Sequence, residues 1–147
     1  MLCCIDDGSP SSRSALRFAV GMACRRDNRD DADLVVVFVH RAPLFAPVDP
    51  VLDFEWPGAG ADVKAMIDEV SAYSRVAIRY DEVAGWSQPD IARIAAEWGS
   101  DAVVLPMLHD DAGPLRRWRR RGLVSGLIAR TRAVVMDEYG WPFVGNR

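Results

Sequence analysis

Residues 34–39 form an unbroken run of six apolar side chains, four of them valine, with no polar residue between them. A strand of this composition has to be covered on both faces, because neither face presents polar groups to water. Strands of this kind are typical of parallel sheets that lie between two layers of helices. The run therefore predicts a parallel sheet buried in the centre of the molecule.

Segments typical of helices and strands alternate along the rest of the chain. Ser9-Pro10 reads as an N-cap followed by a first-turn proline, and Pro89 stands in the same way after Ser87 or Gln88. With right-handed crossovers, this order predicts an α/β fold with a doubly wound, five-stranded parallel sheet and helices on both faces. The predicted strands are 2–6, 34–39, 76–80, 102–105 and 133–136, and the predicted helices are 10–26, 63–70, 89–98 and 123–132.

The length of 147 residues suits one domain, 1–147, with a C-terminal tail at 139–147. The net charge of −3 does not suit a nucleic-acid binder, and no apolar run reaches the about 18 residues that span a bilayer. The start of the chain lacks the basic region of a signal peptide, and three cysteines form neither a metal pattern nor an even disulfide set. We therefore expect a cytoplasmic protein without a membrane or nucleic-acid partner.

Two groups of residues resemble a known family. One is Ile5-Asp6-Asp7-Gly8-Ser9 followed by Ala15-Leu16 and Ala19-Val20, and the other is Val83-Ala84-Gly85, Ile91, Ala95-Ala96-Glu97-Trp98-Gly99 and the strand that ends at Leu105. Their order and spacing are similar to those of universal stress proteins over about residues 1–136. The resemblance implies a sheet order of 3-2-1-4-5, a ligand crevice between strands one and four, and a homodimer paired through the last strand.

The resemblance also implies an ATP site, but this sequence departs from it. Many universal stress proteins hold the adenosine end with the aspartate of strand one, here Asp6, and the phosphates with a glycine element G-x2-G-x9-G-[ST] after strand four. The first two glycines fall on Pro106 and His109, the third on Gly122 after twelve residues rather than nine, and the hydroxyl position on Leu123. Proline has no N–H to donate, and leucine cannot bind a phosphate. We therefore expect ATP binding to be lost or weakened, with no resident cofactor.

An arginine-rich segment, 115–122, stands where the phosphate glycines would be, and we predict that it is a loop. Its five arginines surround Trp118, and guanidinium groups can hold an anion in place of backbone donors. The alternatives are a solvated basic face or the anchor of a protein interface. If an adenine nucleotide or another anion binds, the candidate binding residues are Asp6, Val39, His109, Arg119, Arg120 and Gly122.

Catalytic chemistry has no clear signature in the sequence. No Ser-His-Asp order or nucleophile elbow is present, so we expect no enzymatic activity. His40 and His109 end strands two and four near Asp6 and Asp7, but their spacing matches no metal motif, and loop-end polar residues are the simpler interpretation. The proline-rich connection 41–60, with Phe54 and Trp56, is either a partner surface or a lid. The resulting expectation is a non-enzymatic, regulatory, stress-response module.

Overall fold

The structure, a computed structural model, describes residues 1–6, 9–25, 34–40, 59–72, 74, 76–84, 87–107 and 114–143. Within these ranges, the side chains of residues 40, 59–61, 84 and 114–119 are not described. Strands and helices alternate from the first residues to the last. The elements are β1 (Leu2–Ile5), α1 (Pro10–Cys24), β2 (Leu34–His40), α2 (Ala59–Ser71), β3 (Ile78–Ala84), α3 (Gln88–Glu97), β4 (Ala102–Val104), α4 (Pro114–Arg130) and β5 (Val134–Met136).

The five strands form one parallel sheet in the order β3-β2-β1-β4-β5. Leu2 of β1 pairs with Val35 on one side and with Val103 on the other, so β1 lies at the centre of the sheet. The direction of the chain order reverses between β1 and β4. Both the fold class and the strand order predicted from the sequence are confirmed.

The apolar core lies on both faces of the sheet. Alternate side chains of β2 point to opposite faces, with Leu34 and Val36 packing among residues of α1 and α2, and Val35 and Val37 among residues of α3 and α4. Cys3 and Cys4 of β1 are fully buried on opposite faces in the same way. Two-sided burial explains why the valine run carries no polar residue.

Helices α1 and α3 begin at the caps that the sequence predicts. The hydroxyl of Ser9 accepts a hydrogen bond from the N–H of Ser12, and the hydroxyl of Ser87 accepts one from Asp90. Gly99, which follows α3, has a φ of 56°, the left-handed conformation that a glycine adopts at low cost after a helix. These caps set the direction in which both helices leave the carboxyl edge of the sheet.

The predicted loop at 115–122 is wrong, because these residues belong to α4. The helix begins at Pro114 and ends at Arg130, whereas the sequence interpretation placed it at 123–132. Arginine and leucine are good helix formers, and Pro114 stands at the first helical position, where its missing N–H costs nothing. These local signals, rather than the position of the segment in the family motif, agree with the structure.

The predicted bounds of β3, 76–80, are also wrong, since the strand is Ile78–Ala84. It pairs with the whole of β2, from Leu34 opposite Ile78 to His40 opposite Ala84. An edge strand tolerates charged residues, so Asp81 and Glu82 continue it rather than end it. The proline-rich connection 41–60 lies outside the described residues apart from its last two.

Residues 137–143, which we call the C-terminal strap, turn back on the last strand. The strap follows β5, reverses direction at Gly140, whose φ is 84°, and forms an antiparallel bridge between Pro142 and Met136. The N–H of Phe143 donates to the carbonyl of Val135 at 2.8 Å, and the N–H of Asp137 donates to the carbonyl of Trp141 at 3.0 Å. The strap therefore lies along the outer edge of β5. Among the described helices, none is long and apolar enough to cross a membrane.

Candidate functional site

The carboxyl ends of β1 and β4 form the crevice at which the sheet order reverses. In open α/β sheets, ligands bind in the crevice outside the strand ends at this point. Asp6 follows β1, Met107 lies three residues after β4, and the first turn of α1 lies beside them. The side chains gathered here are therefore the first place to look for function.

Arg120 of α4 reaches into this crevice. Its side chain is partly buried, and burial lowers the pKa of its guanidinium, an effect that the negative charges of Asp6 and Glu138 oppose. The guanidinium carbon also lies 5.9 Å from the centre of the Phe143 ring, within the range of a cation–π contact. An arginine stays protonated at any physiological pH, so a fixed positive charge stands inside the crevice.

Glu138, the second residue of the strap, supplies a buried negative charge. Its Oε2 accepts a hydrogen bond from the N–H of Met107 at 2.6 Å, and it also lies within reach of the Ser11 hydroxyl. That hydroxyl is 2.9 Å from the carbonyl of Met107 as well, and its single proton is given to one of the two acceptors. Ser11 is the second residue of α1, so the carboxylate also faces the positive end of a helix dipole.

Asp6 lies between these charges and α1. Its Oδ1 accepts a hydrogen bond from the hydroxyl of Ser12 at 3.3 Å, and its carboxylate acts electrostatically on Arg120. The pairing of Asp6 with Ser12 orients the carboxylate across the start of α1. Among the described residues, the crevice thus brings the guanidinium of Arg120 together with the carboxylates of Asp6 and Glu138, and the carboxylate of Asp137 also acts on that guanidinium.

The comparisons with known proteins agree with this architecture. The model of the universal stress protein family matches residues 1–130. The chain belongs to the universal stress protein family. Among solved structures, it is similar to a universal stress protein in complex with cAMP, which is 17% identical with a TM-score of 0.58 over 93% of this chain and 94% of that one. At this identity the likeness concerns the fold alone, and no curated protein matched the sequence.

In this universal stress protein, the structure brings together two of the six predicted binding residues, Asp6 and Arg120. Val39 is fully buried in the core shared with α3 and α4, so its side chain presents no surface to a ligand. Arg119 lies in α4, but its side chain is not described, and His109 lies outside the described residues. Of the histidines and aspartates that end strands one, two and four, Asp7 and His109 lie outside the described residues and the side chain of His40 is not described; the described part of the chain contains no cluster of three or more His, Cys, Asp or Glu side chains.

Gly122 does not lie at a helix start, where a phosphate glycine would be. It comes eight residues after α4 begins, and N–H groups beyond the first turn are bonded within the helix. Its carbonyl instead accepts a hydrogen bond from Nε2 of Gln88 at 2.6 Å, and a Cβ on Gly126 would lie 1.9 Å from Oε1 of the same glutamine. The glycines of α4 thus let Gln88 of α3 approach the helix closely, and Leu123 is buried in the core.

Sequence reasoning missed Glu138, Ser11 and Phe143. The available signal was Asp137-Glu138 directly after the last strand, because acids that follow a parallel strand collect at the ligand edge of the sheet. The fold-back of the strap is not visible in any periodic pattern, whereas Glu138 precedes the reversal at Gly140 and lies beside Met107 because β5 pairs with β4.

Proposed function

We propose that this universal stress protein is a non-enzymatic regulatory module of the cytoplasmic stress response, in which the ATP binding of the family is lost or greatly weakened. Membership of the family supports the role in stress response. What supports the proposal on ATP is the crevice, where a carboxylate of the chain itself accepts a hydrogen bond from a backbone amide after strand four.

The observation that carries the proposal is the carboxylate of Glu138 on the N–H of Met107. The phosphate element of the family begins directly after strand four, so a phosphate oxygen and this carboxylate compete for one amide. A hydrogen bond to a charged group contributes about 1.5–3 kcal/mol, and a polyanion must break it and also bring its own charge next to the acid. That contribution alone corresponds to an affinity lower by about 10- to 100-fold.

Two further features support the same conclusion. Pro106 occupies the first glycine position, is buried and has no N–H for an anion. The start of α4 precedes Gly122 by about two turns, so the amides that would form the second half of an anion nest are bonded within the helix. The missing N–H donors and the Glu138 carboxylate on the Met107 amide both weaken the binding of a phosphate.

Calorimetric titration of the protein with Mg-ATP tests the proposal. We expect no saturable heat with wild type up to about 1 mM ligand, which corresponds to a binding free energy weaker than about −4 kcal/mol. Glu138→Gln keeps an acceptor for the Met107 amide but removes the charge, and it should bind Mg-ATP more tightly than wild type does. Micromolar affinity in the wild-type protein would show that the proposal is wrong.

A second candidate function is the binding of an adenine nucleotide or another anion through the arginines of residues 116–121. It is favoured by the position of Arg120, whose guanidinium lies in the crevice beside Asp6, and by the cAMP carried by the similar solved protein. A cyclic monophosphate has a single negative charge and needs fewer donors than a triphosphate. Titration with cAMP should then give binding that is lost when Arg119, Arg120 and Arg121 are replaced by Gln, and unchanged binding in that variant would exclude the mechanism.

We also propose that the module forms a homodimer through β5, as the family resemblance implies. An edge strand of a sheet has unpaired backbone groups that favour pairing with another strand. In this chain the strap lies along that edge, so pairing requires a rearrangement of residues 137–143.

A further inference from the structure

The outer edge of β5 is paired with a segment of its own chain. In a strand with one parallel neighbour, alternate residues point their backbone groups outward. Here the carbonyl of Val135 accepts from the N–H of Phe143 at 2.8 Å, and the N–H of Asp137, which directly follows β5, donates to the carbonyl of Trp141 at 3.0 Å. The strap runs antiparallel to β5, with Pro142 opposite Met136. The edge therefore accepts an antiparallel strand, and the strap takes that place.

Two contacts anchor the strap beyond the edge, and hydrogen bonds within the strap fix its turn. Glu138 bonds the amide of Met107, Phe143 packs against the α3–α4 core, and the carboxylate of Asp137 accepts the N–H groups of Tyr139 and Trp141 at 2.9 Å, which fixes the turn. The aromatic side chains of the turn bury little surface and so stabilise it less than these contacts do, because the exposed fractions of Tyr139 and Trp141 are 68% and 72%. A few polar contacts, rather than burial of these aromatic rings, hold the turn in place.

The turn also depends on close contact between Gly140 and α1. A Cβ placed on Gly140 would lie 2.7 Å from Cζ of Phe18, and the φ of 84° is unfavourable for any residue with a side chain. Phe18 packs against the α1–α2 core, so its ring cannot leave without loss of that packing. The seat of the strap is thus sensitive to a single methyl group.

We infer that the outer edge of β5 is a masked interaction surface for a second copy of this chain, and that the strap is the mask. A two-fold axis makes the same strand in two copies antiparallel, which is the orientation in which the strap already bonds this edge. The inference rests on the pairing through β5 proposed above and adds that the strap regulates this pairing. Withdrawal of the strap also removes Glu138 from Met107, so one movement opens both the edge and the crevice.

Gly140→Ala in the full chain, studied by sedimentation velocity, tests the inference. The added methyl group disfavours the strapped form by its clash with Phe18 and by strain in the left-handed region, so the dimer dissociation constant should fall by about tenfold. Gly99→Ala is the matched control, because Gly99 also has a positive φ, of 56°, but a Cβ there would meet nothing within 4 Å. Wild type and Gly99→Ala should dimerise equally weakly.

Hydrogen exchange shows whether the strap has opened, since the amides of Met107 and Phe143 should exchange faster in Gly140→Ala. Val134 is 50% exposed on β5, so Val134→Lys brings two charges together across a paired edge at little cost to folding. Gly140→Ala with Val134→Lys should return to the monomer. If Gly140→Ala does not fold, Glu138→Ala loosens the strap through its side-chain anchor and should show the same shift.

The outcomes separate the two levels of the argument. Faster exchange at Met107 and Phe143 without tighter dimerisation would overturn the masking role of the strap, as would a wild-type dimer that Val134→Lys dissociates while the strap amides stay protected. A dimer that survives Val134→Lys would instead overturn the pairing through β5.

Discussion

Replacement of Arg120 by Met is expected to destabilise the protein, because it removes a cation on which the carboxylates of Asp6, Asp137 and Glu138 act. Methionine keeps a long apolar side chain beside Phe143, so the change concerns charge more than volume. Removal of one partner from a fully buried ion pair lowers the free energy of unfolding by about 3–5 kcal/mol. The loss is smaller when water reaches the charges. Since Arg120 is only partly buried, we expect a loss of about 2 kcal/mol in the free energy of unfolding.

Urea denaturation of Arg120→Met and Arg121→Met provides the assay. Arg121 is the next residue of the same helix but is exposed, so its replacement should change the free energy of unfolding by less than about 0.5 kcal/mol. Glu138→Gln added to Arg120→Met should recover part of the lost stability, because it replaces a carboxylate that has lost its neighbouring cation by a neutral amide. Equal stability of the two arginine variants would refute the assignment of Arg120 to the crevice.

Three further predictions concern the scaffold, all measured by chemical denaturation. Gly21→Ala should stabilise by about 0.8 kcal/mol, because the position is exposed inside α1 with nothing within 4 Å of a new Cβ; a loss of stability there would contradict the packing described. Gly126→Ala should lack this gain in wild type, where Gln88 occupies the space, and should show it in a Gln88→Ala background; a gain in both would contradict the close approach of α3 and α4. Burial raises the pKa of the Cys3 and Cys4 thiols above the ordinary value of 9.0. As the pH rises, the unfolded chain therefore loses these protons before the folded chain does. The free energy of unfolding should fall above about pH 9, by about 1.4 kcal/mol per pH unit for each thiol. Replacement of both by Ala should flatten that slope, and an unchanged slope would contradict their burial.

The sheet was predictable because local and global signals agree. The valine run of β2 has no polar residue since both of its faces are covered, and Ser9-Pro10 is a start signal that few other structures use. The proximity of Asp6 and Arg120 was also predictable, because topology alone brings the end of β1 and the segment after β4 to one crevice.

The contents of the crevice were not predictable from patterns. The fold-back of the strap onto the edge of β5 is a tertiary contact without periodicity, and no pattern encodes the hydrogen bond between the Glu138 carboxylate and the Met107 amide. The position of the arginine-rich segment in the family motif predicts a loop, but its residues have high helix propensity and form the first turns of α4. Val39 is one of the candidate binding residues from the sequence, and alternation along β2 turns its side chain into the core.

The most direct test of the account is an NMR titration that follows the backbone amides of Met107 and Ser11 while Mg-ATP is added. Because the carboxylate of Glu138 already bonds the Met107 amide, we predict no saturable shift of either signal in wild type at ligand concentrations up to about 1 mM. The same titration of Glu138→Gln should shift both signals. Saturable shifts at Met107 in the wild-type protein would contradict the claim that the chain itself occupies the anion site of this universal stress protein.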